Sequence, residues 1–516
     1  MHQSRFRPDL PHVALADRQA DDGSRPFEAN SSMATRRGIL TGCVALLSLG
    51  WGSAKPAAAA PPRKPLASLP MPAGAKVVGF GHSFIQRAGW AISVDGRPRD
   101  ISTSNARGVL PWIRLWDNRF NLDVFADADN ALGKNNALSG AFQGIGGDHI
   151  IAEGAVRGTI SRTPYVIERA PEIVYLDIGT NDISSGVKSA DEMIERLGQQ
   201  LALLRNASIW VVMQTITGRK VWPEGHPKEQ IVAAANDWIK AQDGKDGVKV
   251  CDLTTAGFNH PGFDTSLFGG DVIHPNPKGA KAMATVLLPI LQGMVRAGDA
   301  VDLSDAGKAN LWPSFHLTGT DGGKTRDAAT GTVASGHSVS RARGDSTAVC
   351  AKETADGAFE KQVITFTPSR TGTGDRMEEW RFSAAKGLQL SEIDVAAGRD
   401  WLESFVFVEA SAWDGWLGLQ WQMEAYDGAK QAFVARGGLL NPDSKTETLP
   451  LDGSGFSGWL KICRFQLPAG TPADRLRIDS RPLTITFNRQ ATGTGTIKIS
   501  RPILRKAGDP RPAWNL

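Results

Sequence analysis

A serine near the start of the globular part of the sequence has the setting of a nucleophile. Residues 75–86 combine apolar residues with Gly79 and Gly81, which is typical of a buried strand that runs into a tight turn, and Ser83 follows that turn. Open α/β sheets place their sites at the carboxyl ends of strands, so Ser83 is a candidate nucleophile if a base and oxyanion donors come later. The alternative is that Ser83 only caps the next helix.

A candidate base and its partner lie in the stretch Asp271-Val-Ile-His274. His274 could take the proton of Ser83, and Asp271 could accept from the other imidazole nitrogen, which would fix the tautomer. Pro275 and Pro277 stiffen this turn. The alternative is an Asp/His pair within a capping turn.

Candidate oxyanion donors follow the second and third predicted strands. Gly144, in residues 142–148, could offer a bare backbone N–H at close range, although a flexible loop would have the same composition. Asn181, in Asp177-Ile-Gly-Thr-Asn-Asp182, would be held at the carboxyl edge of the sheet with its amide available to donate. The alternative for Asn181 is a turn or a helix cap.

The elements that must position these residues alternate between strand and helix. The pattern predicts strands at 75–81, 122–125, 171–178, 208–213 and 248–253, and helices at 108–116, 191–205, 228–241 and 278–294. Repeated β-α units predict an α/β fold in which helices cover both faces of a three-layer, doubly wound parallel sheet of the flavodoxin-like kind. We assign residues 75–298 to this domain.

The pattern changes after about residue 300 to short apolar-polar alternations separated by turns rich in Gly and Asp. We predict strands at 363–366, 405–408, 417–423, 460–467, 483–487 and 496–499, within an antiparallel β-sandwich or jelly roll over residues 299–516. Residues 300–355 are predicted to hold a linker and irregular lead-in strands. Eight of the fifteen tryptophans lie at or after Trp312, including Trp413, Trp416 and Trp421; they could stack on sugar rings or fill the core.

Taken together and in order, the four stretches resemble those of the SGNH (GDSL-type) hydrolase family. Ser83 matches the family's serine, Gly144 its glycine, Asn181 its asparagine, and Asp271 and His274 its final Asp-x-x-His. The resemblance covers residues 75–295. One position departs from it, because His82 stands where the family commonly has Asp before the serine.

The resemblance implies a serine esterase that needs no metal or organic cofactor. His274 would deprotonate Ser83, and the N–H groups of Ser83 and Gly144 with the Asn181 side chain would hold the oxyanion. His82 is not assigned as the base, because a neighbour on a tight turn tends to point away from the nucleophile. We expect His82 to have a structural role.

The N-terminal 74 residues carry the signs of export. Arg36 and Arg37 precede an apolar run at 43–49 and an alanine-rich stretch, which resembles a bacterial twin-arginine signal and predicts a periplasmic or secreted protein. A short membrane anchor is the alternative. Residues 1–32 are expected to be disordered, or to precede a true start at Met33, and residues 61–74 to form a proline-rich linker.

Composition and charge give no indication of a nucleic-acid or zinc partner. Lys and Arg number 58 against 54 Asp and Glu, so the net charge of +4 predicts no general attraction to nucleic acid. No Cys/His cluster has zinc-site spacing. Cys350 and Cys463 could pair in an oxidising compartment, while Cys251 would remain.

The combination of features favours a carbohydrate esterase that removes O-acetyl or other short acyl groups from a polysaccharide or oligosaccharide. A lipase or arylesterase of the same family is the first alternative. A carbohydrate-binding protein with a degenerate hydrolase domain is the second. The intact Ser83, Asn181, Asp271 and His274 argue against that last alternative.

Overall fold

The structure is a computed structural model that describes residues 65–94, 97–126, 138–153, 158–303, 309–325, 327–355, 357–371, 377–441, 446–451, 453, 455–470, 472–479 and 483–515. The predicted export segment, Cys43 and the two possible start residues lie outside these ranges. The described residues belong to one compact unit, Pro62–Leu516. The predicted division at residue 298 therefore stays a prediction.

The N-terminal region mixes strands and helices, but its described residues hold ten strands and seven helices where we predicted five strands and four helices. Its strands are β1 (Ala75–Gly81), β2 (Trp90–Val94), β3 (Arg97–Ser102), β4 (Phe120–Asn121), β5 (Val124–Ala126), β6 (Leu138–Gly140), β7 (Phe142–Gly144), β8 (Ile173–Asp177), β9 (Trp210–Gln214) and β10 (Val248–Cys251). Its helices are α1 (Ser83–Gln86), α2 (Val109–Trp116), α3 (Thr159–Glu168), α4 (Thr180–Ser185), α5 (Ala190–Asn206), α6 (Pro227–Lys240) and α7 (Pro277–Met294). Among the described residues, β2–β3 and β4–β7 follow one another without a helix between them.

Strand β1 lies inside a parallel sheet with the order β10-β9-β8-β1-β4, and β7 also pairs with β1. Val77, Val78 and Phe80 are fully buried, which explains why this strand is continuously apolar. Helices α3, α5 and α6 pack side by side, and α2 packs against α7. The predicted α/β class and parallel sheet are confirmed.

The two long helices begin at the caps that the sequence supplies. The side chain of Ser189 accepts from the N–H of Glu192 at the start of α5, and the side chain of Asn276 accepts from the N–H of Gly279 at the start of α7. Pro277 occupies the first position of α7, where no N–H is needed. These caps fix where α7 begins, two residues after the turn that carries His274.

The C-terminal region is built from strands. They are β11 (Asp321–Lys324), β12 (Ala329–Gly331), β13 (Val333–Arg343), β14 (Thr347–Thr354), β15 (Glu360–Thr367), β16 (Met377–Ala384), β17 (Leu388–Gln389), β18 (Trp401–Ala410), β19 (Trp416–Asp427), β20 (Lys430–Leu440), β21 (Phe456–Lys461), β22 (Phe465–Gln466), β23 (Leu476–Asp479), β24 (Leu483–Asn488) and β25 (Gly495–Ala507). One sheet has the order β11-β13-β16-β24-β19-β20-β3-β2, and the other has the order β12-β14-β15-β25-β18-β21. Phe366 of the second sheet contacts Trp380, Trp416 and Phe487 of the first, so the two sheets pack face to face. The all-β class is confirmed, while the jelly-roll order of strands stays a prediction.

Two parts of the chain differ from the sequence expectation. Strands β2 and β3 form a hairpin, and β3 joins the ten-stranded sheet by pairing with β20, because its backbone groups complete the ladder that β20 leaves open. Residues 321–354 form the regular strands β11 to β14, where we predicted a linker and irregular strands. Their Gly, Ser and Thr residues gave no clear alternation, and pairing with β15 and β16 imposes the extended form.

The tryptophans singled out in the C-terminal region fill its core. Trp416 and Trp421 are fully buried, Trp312 is 2% exposed and Trp413 is 7% exposed. Their indole N–H groups are satisfied internally; Trp421, for example, donates to the Ser404 hydroxyl at 2.9 Å. These four rings are therefore unavailable for stacking on sugars.

The cysteine pair left open by the sequence does not form, since Cys350 and Cys463 are both buried and free. Cys350 lies on β14, and Cys463 follows β21, with three strands of the same sheet between them. Neighbouring strands are about 4.8 Å apart, so the separation far exceeds the roughly 7 Å that a disulfide can span between Cα atoms. Separately, none of the helices in the described ranges is both long and apolar enough to cross a membrane.

Candidate active site

Ser83 is held at the carboxyl end of β1 by a close approach between two strands. Gly81 pairs with Asp177 of β8, and a Cβ on Gly81 would lie 1.9 Å from the Asp177 carbonyl oxygen. Only glycine fits there. The chain then turns into α1, whose first residue is Ser83, and the His82 side chain caps this helix by accepting from the N–H of Phe84 at 3.4 Å.

The imidazole of His274 joins Ser83 to Asp271, as the sequence predicts. His274 Nε2 lies 2.8 Å from Ser83 Oγ, and His274 Nδ1 lies 2.6 Å from Asp271 Oδ2. Asp271 Oδ1 accepts from the backbone N–H groups of Ile273 and His274, each at 3.0 Å. These two bonds close the turn, in which Val272 takes a left-handed φ of 50° that a β-branched residue rarely adopts.

The charges around the imidazole favour its neutral form. Burial lowers the pKa of His274, the hydrogen bond to Asp271 opposes this, and the guanidinium groups of Arg87 and Arg107 lower the pKa further. Burial would raise the pKa of Asp271, but the hydrogen bonds it accepts from His274 outweigh burial and hold that pKa far below its usual value. A neutral imidazole beside an ionised carboxylate is the state in which Nε2 can accept a proton from Ser83.

Arg87 lies on the same side of the site as this pair. Its Nη2 is 3.3 Å from His274 Nδ1 and 3.8 Å from Asp271 Oδ2. Because Nδ1 carries the hydrogen that it donates to Asp271, the contact with Arg87 is a charge contact and not a hydrogen bond.

Asn181 lies on the opposite side of Ser83, on the first turn of α4. Gly179, with a left-handed φ of 105°, turns the chain from β8 into this helix. The Asn181 amide donates to the Asp148 carbonyl oxygen at 3.1 Å, and its Oδ1 accepts from Arg219 at 3.1 Å. These two bonds fix the amide plane, and the second hydrogen on Nδ2 is left to donate elsewhere.

Gly144, the glycine predicted to donate to the oxyanion, is not among the residues that line the cavity at Ser83. A Cβ on Gly144 would lie 2.2 Å from the backbone nitrogen of Gln86, so this glycine serves close packing at the end of β7. The residues that line the cavity at Ser83 are Gly146 and Gly147. A Cβ on Gly146 would lie 3.9 Å from that of Ser83, and Gly147 has a left-handed φ of 75° with open space beside it. Sequence spacing alone did not separate the three glycines.

A buried arginine that the sequence analysis missed ties the glycine loop to the serine turn. Arg162, only 3% exposed, donates to the carbonyl oxygens of Gly81 and Gln143 and, through Nε at 2.8 Å, to the Asp148 carboxylate. Burial, which the guanidinium only partly offsets, raises the pKa of Asp148 to about 6. The sequence carries no signal for this role, because the burial of an arginine depends on residues that are distant along the chain.

His82 is buried away from the cavity, beneath the serine turn. Its Nε2 lies 3.4 Å from Asp177 Oδ1, which also accepts from Gln214 at 2.9 Å. Burial lowers the pKa of His82 to about 3 and raises the pKa of Asp177 to about 8. The two groups are therefore mainly neutral at pH 7, and their contact is not an ion pair. This arrangement places His82 in a capping position, not beside the reacting atoms.

The serine turn, the glycine loop, the start of α4 and the turn that carries His274 surround a cavity of about 370 Å³ that opens beside Ser83. Its lining residues are Ser83, Phe84, Gln86, Arg87, Gly146, Gly147, Thr180, Asn181, Arg219, Ile273 and His274. The structure thus brings together four predicted residues, Ser83, Asn181, Asp271 and His274, although Asp271 lies behind His274 and not in the lining.

Residues 80–282 match the model of the GDSL-like lipase/acylhydrolase family. A multidomain esterase from Ruminococcus flavefaciens is 30% identical over an alignment of 149 residues, and the match covers 27% of this chain. The match spans 18% of the length of that relative.

Two solved structures illustrate the structural matches. A carbohydrate esterase family 3 protein from Talaromyces cellulolyticus is 21% identical, with 42% of this chain and 96% of that chain covered and a TM-score of 0.28. An acetyl-xylooligosaccharide esterase from Geobacillus Stearmophilus is 16% identical, with 45% of this chain and 100% of that chain covered and a TM-score of 0.30.

Proposed function

We propose that this chain, whose residues 80–282 form a GDSL-like lipase/acylhydrolase domain, is an exported serine esterase that removes O-acetyl or other short acyl groups from a carbohydrate. The observation that carries the proposal is the continuous chain of short contacts from Ser83 Oγ through the His274 imidazole to the Asp271 carboxylate. This order of groups is what an activated serine nucleophile requires.

In the first half of the reaction Ser83 Oγ attacks the ester carbonyl carbon while its proton moves to His274 Nε2. Asp271 holds the imidazole in the required tautomer and stabilises the imidazolium that forms. His274 then gives the proton to the alcohol oxygen as the carbon–oxygen bond breaks, which leaves the acyl group on Ser83. A water molecule repeats the sequence and releases the carboxylic acid.

The developing oxyanion needs donors that are already in place. We assign this role to the backbone N–H groups of Ser83 and of the Gly146–Gly147 turn, together with the second Nδ2 hydrogen of Asn181. The hydrogen bonds of Asn181 to Asp148 and Arg219 support this assignment, because they hold the amide before substrate arrives. Losing one such donor typically costs about 3–4 kcal/mol of transition-state stabilisation.

The lining of the cavity supports a short acyl group and a polar alcohol. Phe84 and Ile273 are its two large apolar residues, and the other side chains are hydroxyl, amide, imidazole or guanidinium groups. A long fatty acyl chain would find little apolar surface there, whereas sugar hydroxyls would find donors and acceptors. The twin-arginine-like segment supports action outside the cytoplasm, on a periplasmic or secreted substrate.

A series of nitrophenyl esters with acyl chains of two to twelve carbons tests the reaction and the acyl preference together. We expect hydrolysis to be fastest for acetyl and to be lost in Ser83→Ala. If the ester with the longest acyl chain were hydrolysed fastest, the protein would be a lipase and not a carbohydrate esterase. No turnover with any chain would favour a carbohydrate-binding protein without catalysis.

Acetate release from acetylated polysaccharides is the second measurement. The full chain should release acetate from at least one acetylated polysaccharide and should not do so after Ser83→Ala. Turnover of nitrophenyl acetate combined with no acetate release from any polysaccharide would favour an arylesterase.

A further inference from the structure

Two guanidinium groups line the cavity beside Ser83, and no Asp or Glu is among the described residues that line it. Arg219 lies on the side of Asn181, and Arg87 lies on the side of His274. A cavity built for a neutral ester has no need of two cations in its wall. Arg87 lies 3.8 Å from Asp271 Oδ2, so the charge that needs an explanation is that of Arg219.

The Arg219 guanidinium is held entirely by neutral groups. Its Nε donates to the Thr180 hydroxyl at 3.0 Å, Nη1 donates to the Ser184 hydroxyl at 2.9 Å, and Nη2 donates to the Thr180 carbonyl oxygen and the Asn181 amide oxygen, each at 3.1 Å. The guanidinium also stacks on the Trp222 ring at 4.8 Å. These contacts orient Arg219 but bring no negative charge to it.

Arg219 is consequently a buried cation without a nearby counter-ion. It is 8% exposed, and within the described ranges no carboxylate lies within 4 Å of its guanidinium. Burial lowers the pKa of Arg219 to about 10, and Asp271 opposes this only at longer range, being already engaged with His274. A buried charge is costly unless an opposite charge compensates it.

We propose that the counter-ion arrives with the substrate, so that the alcohol part of the ester carries a carboxylate that binds between Arg219 and Arg87. This inference rests on the proposed esterase function and makes it more specific: the substrate class is an O-acylated acidic sugar, such as a uronic acid unit. The four bonds above leave one Nη1 hydrogen of Arg219 unused, so this residue can donate one charge-assisted hydrogen bond to such a carboxylate.

The competing explanation is that the two charges serve only the oxyanion of the transition state. Every ester forms that oxyanion, so the loss of Arg219 would then slow charged and neutral substrates equally. A carboxylate-binding role instead predicts a loss that depends on the charge of the substrate. The ratio of kcat/KM for two matched substrates separates the two explanations, because any shared damage to Asn181 or the fold cancels in it.

The matched substrates are an O-acetylated methyl glucuronoside and the corresponding uronamide, which differ in one charge and little in shape. Acetate release by the full chain is measured for both. We expect the carboxylate to be preferred at least about tenfold in kcat/KM, with a preference that weakens as ionic strength rises. Equal rates for the two substrates would overturn the inference while leaving the esterase intact, and no acetate release with any ester would overturn the esterase itself.

Three variants complete the test. Arg219→Gln should remove most of the preference for the carboxylate, while Arg219→Lys should lower both rates yet keep more of the preference, since the charge remains. Lys386→Gln, at a lysine whose side chain is 79% exposed in the C-terminal region, removes one positive charge elsewhere and should change neither rate nor preference. An unchanged ratio in Arg219→Gln would assign Arg219 to the oxyanion alone and reject the carboxylate site.

Discussion

Two groups in this chain bring a serine hydroxyl, an imidazole and a carboxylate together in that order, and they differ in the direction of their hydrogen bonds. In the first group, Ser83 contacts His274 at 2.8 Å, and His274 contacts Asp271 at 2.6 Å. In the second group, Ser185 also contacts His149 Nε2 at 2.8 Å, but His149 Nδ1 lies 3.7 Å from Glu153.

The two groups differ in which atom receives the hydrogen of the serine hydroxyl. Ser185 Oγ donates its one hydrogen to the carbonyl oxygen of Asn181 at 2.8 Å, so His149 Nε2 must be the donor in the contact between them. Among the described residues, His149 Nδ1 then has no hydrogen-bond partner, and Glu153 instead pairs with Arg196 at 2.6 Å. An imidazole that already carries its hydrogen on Nε2 cannot take one from the serine.

The surroundings differ as well. Ser83 opens onto a cavity whose wall includes the Gly146–Gly147 turn and the Asn181 amide, whereas Ser185 is not among the residues that line that cavity. The right residue types at short distances are therefore not enough to make a serine a nucleophile. A nucleophilic serine also needs a base with a free lone pair, and hydrogen-bond donors directed at the oxyanion that forms when the serine attacks.

Replacing each serine gives the largest expected contrast. Ser83→Ala should lower kcat on nitrophenyl acetate by at least about 10⁴-fold, because it removes the nucleophile. Ser185→Ala should leave kcat within about threefold, because the two hydrogen bonds that it removes, to Asn181 and from His149, belong to a serine outside the cavity lining. The reverse pattern would show that the second group carries the chemistry.

Replacing each carboxylate tests the tautomer argument. Asp271→Asn should lower kcat by about 10⁴-fold, since an amide in place of the carboxylate stabilises the wrong imidazole tautomer. Glu153→Gln is the matched change in the second group and should affect kcat by less than about threefold, which steady-state kinetics on the same ester would show. A small effect of Asp271→Asn would contradict the assigned role of Asp271.

Asn181 belongs to both groups. Its side-chain amide lines the cavity beside Ser83, and its backbone carbonyl oxygen accepts the hydrogen bond from Ser185. Asn181→Ala should lower kcat by about 10²–10³-fold, with KM changed little, because an oxyanion donor acts in the transition state. Asn181→Ala keeps the backbone carbonyl, so the bond from Ser185 should survive. A rise in KM alone would assign Asn181 to substrate binding.

The pH profile gives the smallest effect and the finest test of the first group. His274 must be neutral to act, and burial with Arg87 and Arg107 lowers its pKa, so kcat/KM should fall only below about pH 6.5, the ordinary histidine value. Arg87→Gln removes a positive charge and should move this acidic limb to higher pH, whereas Arg87→Lys should move it less. A shift to lower pH in Arg87→Gln would contradict the charge argument.

The long helices and the central strands of the α/β region were predictable because their periodicity is strong and their ends are marked. The helix predicted at 278–294 is α7, Pro277–Met294, and the strand predicted at 171–178 is β8, Ile173–Asp177. The hairpin of β2 and β3 was not predicted, because its partner β20 lies more than three hundred residues away. A pairing of that kind leaves no local signal in either stretch.

Site residues were likewise predictable only where the sequence carries a local signal. Ser83, Asn181, Asp271 and His274 stand in stretches whose spacing restricts their roles. By contrast, the sequence did not separate Gly144 from Gly146 and Gly147, which line the cavity, because three glycines within four positions differ only in what surrounds them in space. Arg162 and Arg219 were overlooked, because an arginine in a sequence gives no sign of being buried.

By itself, the sequence determined strands β1, β8, β9 and β10 of the parallel sheet, the long helices α5, α6 and α7, and the serine, histidine and carboxylate placed at the ends of elements. All of these follow from local periodicity and spacing. Tertiary structure decided which glycines meet the cavity, which tryptophans are core and which arginines stand in the wall beside Ser83. Those facts depend on which distant residues exclude water from a side chain, and burial, charge and hydrogen-bond direction come into being only when the chain has folded.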